Sequence, residues 1–193
     1  GEFRTQKQME DAWGAKYPKY YNKLVDAWND TEGQVLFYGE ELALTPFFRL
    51  SNGCTRDGKE VLGSDAYPYL KIVECPWDIE DKKQIQTVMT EDMDAEITQA
   101  DTAGYVLSVR VGQENLSGEE FRSTYGLASG CFTLQRYNGQ IRITTRGEGH
   151  GLGMSQYSAD QMAKEGETYD AILQYFYEGT EIKEVAEILL DVE

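Results

Sequence analysis

The chain has 193 residues, of which 34 are acidic and 18 are basic, and its formal net charge at pH 7 is −16. This charge argues against nucleic-acid binding, because phosphate backbones are bound by stripes of lysine and arginine and the sequence has none. It also argues against contact with an anionic membrane surface. Hydrophobic residues make up 40% and charged residues 27% of the chain, which is typical of one folded domain rather than of a disordered protein.

Targeting segments and cysteines give two further indications. No apolar run approaches the roughly 18 residues of a membrane span, and no signal peptide is present. The opening Gly1-Glu2-Phe3 resembles a linker left by cloning, so we expect any anchor or export signal of the parent protein to have been removed. Cys54, Cys75 and Cys131 are too few for a disulfide scaffold, although one pair such as Cys54 with Cys75 could form.

The first third of the chain is predicted to contain helices, a hairpin and a loop. Apolar residues at spacings of three and four predict helical structure over 6–28, in which Pro18 either separates two helices or begins the second. A β-hairpin is predicted next, with strands at 34–38 and 42–48. The polar stretch 50–68 is predicted to be a long loop that leads to a short apolar run at 69–73.

The rest of the chain alternates strands and helices. Strands are predicted at 84–89, 105–111, 132–134 and 140–144, the last two joined by an Asn138-Gly139 turn. Helices are predicted at 117–125, 155–165 and 169–177, and the first has the capping-box residues Ser117 and Glu120. An extra apolar-acidic helix is predicted at 183–193. The sequence therefore indicates a single α+β domain, with hairpins, a mixed sheet and flanking helices.

One segment differs from the rest, because glycine occupies every second position from Gly147 to Gly153. If the segment is extended, the four glycines share one face, and Glu148, His150, Leu152 and Met154 share the other. A face without side chains allows another backbone or a ligand to come close, or allows a sharp turn. The segment runs from a predicted strand into a predicted helix, where loops often hold polar ligands.

Three functions for this segment can be compared with its residues. The glycine spacing matches neither a dinucleotide fingerprint nor a P-loop, and Glu148 would repel a phosphate. His150 and Ser155 could form a base and nucleophile, but the nucleophile-elbow pattern is absent and both could simply cap and pack the join. A zinc site would need His150, the only histidine, with the three cysteines, which lack short spacing. We therefore predict no metal and no other cofactor.

Residues 147–159 resemble the GHG-x-G-[ML]-SQYGA signature of the SpoIID/LytB family. The segments 30–36, 47–53 and 69–78 resemble the middle of that family, and 162–182 resembles its C-terminal end, so the matches run in order along most of the chain. The resemblance implies an extracytoplasmic protein of sporulation, in the cell wall or anchored to the membrane. It implies a lytic transglycosylase of engulfment that cuts peptidoglycan strands lacking stem peptides, with a cell-wall amidase as partner.

The chemistry implied by the resemblance needs one glutamate, which protonates the leaving oxygen and helps the sugar 6-hydroxyl to close a 1,6-anhydro ring. The family carries that glutamate in an A-x-E-M-P-like stretch, which this chain lacks. We therefore expect little or no cleavage by this chain alone, whose parent either has the segment upstream or is a variant without it. The alternative is a non-catalytic peptidoglycan-binding module that stimulates an amidase, as described for LytB relatives. Arg49 stands where the family often has histidine, which puts a family zinc site in doubt.

The resemblance and the glycine segment together suggest which residues contact a glycan. The candidates are polar groups in and near the segment and in the 51–52 loop, with Trp77 as a possible aromatic platform: Arg146, His150, Ser155, Gln156, Tyr157, Ser51 and Asn52. His150 and Gln156 could instead hold the segment to the body of the protein through buried hydrogen bonds.

Overall fold

The computed structural model describes residues 4–185 and confirms the α+β class. Its helices are α1 (Gln6–Trp13), α2 (Tyr17–Thr31), α3 (Gly58–Leu62), α4 (Gly118–Thr124), α5 (Gln156–Glu165) and α6 (Tyr169–Phe176). Its strands are β1 (Gln34–Tyr38), β2 (Glu41–Leu42), β3 (Phe47–Phe48), β4 (Ile85–Glu91), β5 (Ala95–Ala100), β6 (Val106–Val111), β7 (Glu114–Ser117), β8 (Phe132–Tyr137), β9 (Gln140–Arg146), β10 (Met154–Ser155) and β11 (Glu181–Glu184). Within the described range, none of the helices has the length and apolar character needed to cross a bilayer.

The chain divides into two compact units, of which the smaller comprises Gly1–Val35 and Ile182–Glu193. Its described part holds α1 and α2. Thr5 and Gln8 form a reciprocal capping box at the start of α1, which satisfies two of the free N–H groups of the first turn. Pro18 lies in the first turn of α2, where the missing N–H costs no helical hydrogen bond. The predicted break in the first helical region is therefore confirmed, with Pro18 beginning the second helix.

The larger unit, Leu36–Glu181, is built on two three-stranded antiparallel sheets with the strand orders β4-β9-β8 and β5-β6-β7. The β8–β9 hairpin turns at Asn138 and Gly139, whose φ angles are 52° and 72°, as a two-residue hairpin turn requires. Helix α4 covers β6, and a Cβ on Gly118 would lie 1.9 Å from the carbonyl oxygen of Val106. The first core cluster fills this space: Val106, Val109, Phe121, Leu127, Phe132, Ile141 and Ile143.

A second core cluster joins α5 and α6 to the loops of the larger unit. Its buried members are Tyr69, Leu70, Cys75, Leu152, Met162, Ile172, Phe176 and Tyr177. Helix α6 faces this cluster with Ile172 and Phe176, which are both buried, while Tyr169 at its beginning is 50% exposed. Ser155 caps α5 through its hydroxyl, which accepts from Ser158 N, and Gly166 ends that helix in the left-handed conformation.

The structure differs from the sequence predictions in four respects. The predicted strand 42–48 is wrong beyond Leu42, because β3 pairs in parallel with β10 and not with β1. The predicted loop 50–68 contains the short helix α3, which Asp57 caps through its side chain. Strands β5 and β7 were not predicted. Of the predicted helix 183–193, residues 183 and 184 belong to β11, and the remainder beyond 185 lies outside the described residues, as does the opening Gly1-Glu2-Phe3.

Candidate functional site

The glycine segment runs through the middle of the larger unit and pairs with several different parts of it. Leu50 and Glu148 exchange both backbone hydrogen bonds, at 3.0 and 2.8 Å. Gly149 N–H donates to the carbonyl of Ala128 (2.8 Å), and Arg56 N–H donates to the carbonyl of Gly151 (2.9 Å). The segment is therefore not one strand of a sheet but a central ribbon that joins separate loops.

Each of the four glycines has a positive φ, at 80°, 117°, 81° and 78° from Gly147 to Gly153. Each is also crowded on the side where a Cβ would project. That atom would lie 2.6 Å from Leu50 O at Gly147, 2.8 Å from Phe48 Cβ at Gly149, 2.3 Å from the Tyr105 ring at Gly151 and 2.0 Å from Pro46 O at Gly153. Of the alternatives that the sequence left open, close approach of the protein's own backbone and side chains accounts for the four glycines.

His150 projects from this ribbon and holds backbone groups with both ring nitrogens. Its Nδ1 accepts from Leu152 N–H at 3.2 Å, so the ring proton resides on Nε2, which lies 3.0 Å from the carbonyl oxygen of Phe47 and donates to it. The ring packs edge-on against Phe48. Burial holds the pKa of His150 below its ordinary value. The imidazole therefore ties the ribbon to β3 in its neutral form.

Stability should depend on pH through His150. Because the folded-state pKa lies below the unfolded value of about 6.5, the unfolded state binds more protons as pH falls through that value, and stability is lost. We expect His150→Ala to reduce the free energy of unfolding by about 2 kcal/mol at pH 7.5 and by less at pH 5.5. Urea unfolding of both proteins at several pH values measures this.

His150 is the only histidine in the chain, so a difference between the two proteins that stays constant over this pH range would contradict the assignment. The same variant separates the two roles predicted from the sequence. Lost stability with retained glycan binding indicates an architectural role, and lost binding with unchanged stability indicates a contact.

Asp78 is a buried carboxylate that links three segments near the ribbon. Its Oδ2 accepts from Ser51 N–H at 2.6 Å and from the Ser155 hydroxyl at 2.7 Å, and its Oδ1 accepts from the Ser158 hydroxyl at 2.6 Å. No Lys or Arg among residues 4–185 forms an ion pair with it. The carboxyl group is held instead by these three donors, of which Ser155 and Ser158 lie at the beginning of α5.

The position of Asp78 determines where two predicted glycan contacts lie. Ser51 and Ser155 have no exposed surface, and the hydroxyl of Ser51 accepts from Gly53 N–H at 3.0 Å while that of Ser155 donates to Asp78. Both serines therefore lie in the interior and contribute to the architecture beneath the ribbon.

A buried ion pair supports the middle of the ribbon. Arg56 Nε lies 2.5 Å from Asp101 Oδ2, and its Nη1 donates to the carbonyl of His150 at 3.0 Å. The guanidinium lies 4.9 Å from the centre of the Tyr105 ring, and Asp101 Oδ1 accepts from Tyr105 N–H at 2.8 Å. Both members of the pair thus have further hydrogen-bond partners besides each other, which a buried ion pair needs to offset its desolvation.

The cysteines lie in two places. Cys54 and Cys131 both contact the side chain of Asn52, whose amide also donates to the carbonyl of Ala103 at 2.7 Å. Cys75 is separate, and burial, with a smaller contribution from Asp78, raises the pKa of its thiol to about 12. No three His, Cys, Asp or Glu side chains in the described range come together as metal ligands would. The pair suggested by the sequence, Cys54 with Cys75, is present as free thiols.

On its outer side the ribbon supports a small surface, the Tyr157 surface, where Arg49 lies beside Tyr157; Phe47 is two residues before Arg49 in the chain, and Gln156 precedes Tyr157 at the beginning of α5. The β3–β10 pairing places Met154 opposite Phe47, and Tyr157 N–H donates to the carbonyl of Arg49 at 3.2 Å. The Arg49 guanidinium lies 5.9 Å from the centre of the Tyr157 ring. Phe47 is 49% exposed, whereas Phe48 points into the core, as alternation along a strand requires.

The remaining predicted residues are divided between two other places. Arg146 and Asn52 line one cleft with residues of the 79–85 segment. The indole N–H of Trp77 donates to Glu165 at 2.9 Å, and this ring lines a separate groove with Tyr175. The structure thus brings Arg146 and Asn52 together in one cleft, whereas Gln156 and Tyr157 are neighbours in the chain at the beginning of α5.

Sequence reasoning missed Arg56, Asp78, Asp101 and Tyr105 as parts of this site. Arg56 and Asp101 are 45 residues apart, and no local pattern marks either. Asp78 belongs to the segment 75–78 that entered the family resemblance, but nothing in the sequence shows that its carboxylate is buried. The glycine spacing was the one available signal, because four crowded glycines require four close neighbours.

The chain is similar in sequence to several known proteins. No protein-family model matches the chain. Stage II sporulation protein D of Bacillus subtilis (strain 168) is 34% identical over 197 residues, which cover 94% of this chain and 57% of that protein. The protein of the same name from Bacillus amyloliquefaciens is 32% identical and covers 97% and 58%. The amidase enhancer of Bacillus subtilis is 40% identical over 60 residues, 31% of this chain.

The chain spans little more than half the length of the two sporulation proteins, at 57% and 58%. The similarity nevertheless extends over nearly all of the present sequence, including the ribbon and the elements that pair with it. By these matches, the chain belongs to the SpoIID/LytB family.

Proposed function

We propose that this chain is the glycan-binding part of an extracytoplasmic peptidoglycan-remodelling protein of sporulation. The whole protein would act as a lytic transglycosylase on glycan strands that lack stem peptides, during engulfment and together with a cell-wall amidase. The observation that carries this proposal is the similarity to stage II sporulation protein D over 94% of the chain.

The Tyr157 surface supports a role in glycan binding. Sugar sites combine aromatic rings, which cover the apolar faces of a sugar, with a few well-placed polar groups that bind hydroxyls. Phe47 and Tyr157 supply rings, and Arg49 and Gln156 supply donors and an acceptor. The backbone of this surface is fixed by the β3–β10 pair and by His150, so little conformational freedom would be lost on binding.

Binding to glycan strands is expected to depend on Tyr157. We expect Tyr157→Ala to weaken co-sedimentation with peptide-free glycan strands about tenfold, because loss of one stacked ring removes about 1 kcal/mol or more of contact energy. Tyr137→Ala is the matched control, since Tyr137 is 45% exposed on the β8–β9 hairpin. Equal binding by both variants and the unmodified chain would contradict the role of this surface.

Cleavage is tested separately from binding. The family resemblance assigns the general acid to a glutamate outside the matched residues, so the 193-residue chain is expected to release little or no 1,6-anhydro product from peptide-free strands. Analysis of soluble muropeptides measures this. Robust 1,6-anhydro product from the chain alone would show that it carries its own general acid.

A second candidate is a non-catalytic module that stimulates a cell-wall amidase, favoured by the 40% identity to the amidase enhancer over 60 residues. Adding the chain to an amidase acting on intact peptidoglycan distinguishes the two functions. A several-fold faster release of stem peptides, without glycan cleavage by the full-length parent, supports the module. Glycan cleavage by the parent supports the transglycosylase.

A further inference from the structure

Two cavities, of about 450 and 290 Å³, meet along helix α6 at Gln174 and Tyr175, which line both of them. Together they are called the α6 groove. The smaller cavity borders the segment 71–73. The larger cavity is also lined by residues of the 3-10 turn Pro76–Glu80, of α5, of the link between α5 and α6, and of α6 itself: Trp77, Met162, Glu165, Glu167 and Ala171.

The larger cavity has a negative charge that the protein does not neutralise. Glu165 accepts from the indole N–H of Trp77 at 2.9 Å, whereas the side chain of Glu167 forms no hydrogen bond or ion pair with any residue between 4 and 185. Among the described residues that line the groove, only Lys71 is basic, and it pairs with Glu178 at 3.1 Å. The two carboxylates therefore favour a cation from outside the chain.

Aromatic rings make the same cavity suitable for an organic cation. Trp77 and Tyr175 both line it, and Tyr175 is 37% exposed. Ring faces attract ammonium and guanidinium groups, and the indole ring does so most strongly. The carboxylates of Glu165 and Glu167 would repel an acidic glycan at these rings, so the larger cavity favours a basic ligand over an acidic one.

The smaller cavity borders a backbone edge that faces α6. The carbonyl of Val73 accepts from Thr55 N–H at 2.9 Å, and its N–H donates to the Thr55 hydroxyl at 2.8 Å. Backbone groups of neighbouring residues in a paired strand point to opposite edges, so those of Ile72 and Glu74 point away from Thr55. The carbonyl of Glu74 accepts from the Tyr175 hydroxyl at 2.8 Å, which shows that this edge faces α6.

Ile72 leaves both of its backbone groups unpaired on this edge. It is 40% exposed, and no residue in the range 4–185 forms a hydrogen bond with it. An extended peptide can add to such an edge through its own N–H and C=O, and alternate side chains then enter the pockets beside it. Buried Tyr69 and Phe176 line the smaller cavity, so it offers contact to an apolar side chain.

We propose that the α6 groove binds an extended segment of a partner protein that carries a lysine or arginine side chain beside an apolar one. The cationic group lies against Trp77 and is neutralised by Glu165 and Glu167. The backbone of the segment pairs with Ile72, and the apolar side chain enters the smaller cavity. The inference follows from the charge, the rings and the backbone edge of the groove, and it does not depend on the proposed function.

Isothermal titration of the 193-residue chain with synthetic peptides tests the class of partner. The probe is acetyl-Lys-Ala-Val-Ala-Lys-amide, in which a lysine lies beside the valine on one face of the extended chain, whichever way it runs. A salt concentration of about 0.15 M screens exposed charges beyond about 8 Å. We expect the probe to bind about tenfold more tightly than acetyl-Glu-Ala-Val-Ala-Glu-amide.

A third peptide tests the backbone pairing. Acetyl-Lys-Ala-Pro-Ala-Lys-amide has the same charge as the probe but lacks the central N–H, so it should bind about fivefold more weakly. Equal affinity for the basic and the acidic peptide would overturn the proposal, and equal affinity for the valine and the proline peptide would overturn the pairing with Ile72.

Variants of the chain locate the site. Glu167→Gln should weaken the probe about fivefold, and Ala171→Lys, which adds a cation and a long side chain to the larger cavity, should abolish binding. Both should leave the melting temperature unchanged. Glu114→Gln is the matched control, because it removes the same charge from an exposed position on β7. Equal weakening by Glu167→Gln and Glu114→Gln would show that the probe responds only to the net charge of the chain, and would overturn the site.

Co-sedimentation with peptide-free glycan strands tests the other class of ligand. Ala171→Lys should leave glycan binding unchanged, and a loss of glycan binding in this variant would show that the α6 groove holds glycan and not a basic peptide. The two functions can also fail separately. Peptide binding without glycan binding would retain this inference and remove the proposed function, and glycan binding without peptide binding would do the reverse.

Discussion

Gly153→Ala is expected to destabilise the larger unit by about 4 kcal/mol or more, and to lower its melting temperature by about 10 °C. Two costs combine at this position. The φ of 78° places alanine in the left-handed region, which costs roughly 1–2 kcal/mol. The new Cβ would also lie 2.0 Å from the carbonyl oxygen of Pro46, which is backbone and cannot rotate away.

The Pro46 carbonyl is itself engaged, since it accepts from Met154 N–H at 3.0 Å and from the Tyr177 hydroxyl at 2.6 Å. Relief of the clash would therefore disturb the β3–β10 pair and the contact to α6. Gly63→Ala is the matched control, because Gly63 has a φ of 65° and open space around its missing Cβ. Gly63→Ala should reduce the free energy of unfolding only by the roughly 1–2 kcal/mol that a left-handed backbone conformation costs alanine. Equal melting temperatures for the two variants would show that the crowding at Gly153 is relieved at no cost.

Asp78→Ala is expected to cost about 3 to 5 kcal/mol, because it leaves buried donors without an acceptor. Ser51 N–H, the Ser155 hydroxyl and the Ser158 hydroxyl all donate to this carboxylate. Asp78 has no exposed surface and lies in the 3-10 turn Pro76–Glu80, next to the first turn of α5. Asp78→Asn should cost less, since one amide oxygen still accepts.

Urea unfolding followed by circular dichroism measures these effects. Asp65→Ala is the control, because Asp65 forms an ion pair with Lys59 in which both side chains are exposed, and such pairs contribute little. The expected order of destabilisation is Asp78→Ala, then Asp78→Asn, then Asp65→Ala with no measurable change. An Asp78→Ala protein as stable as the unmodified chain would show that the three donors find other acceptors.

Local signals in the sequence predicted the elements whose hydrogen bonds close over a few residues. The Asn138-Gly139 turn, the Ser117–Glu120 capping box and the helix end at Gly166 are all present as predicted. Each depends on side chains or backbone angles of residues within one turn of the chain, so all the residues that form it are close together in the sequence. The strand predicted at 42–48 was wrong because the partner of Phe47 lies more than 100 residues away, at Met154.

The amino-acid sequence was enough to predict an acidic α+β chain of the SpoIID/LytB type with a central glycine-rich segment. The surroundings of that segment became known only from the folded structure. In the folded protein, buried Asp78 and the buried Arg56–Asp101 pair hold the ribbon in place, and Ser51 and Ser155 lie in the interior. The cleft lined by Arg146 and Asn52 does not include the residues of the Tyr157 surface. The glycine spacing indicates only that other atoms of the protein approach this segment closely, because the absence of a side chain is a local property of the sequence. Which atoms come close depends on contacts between distant residues, and these exist only once the chain is folded.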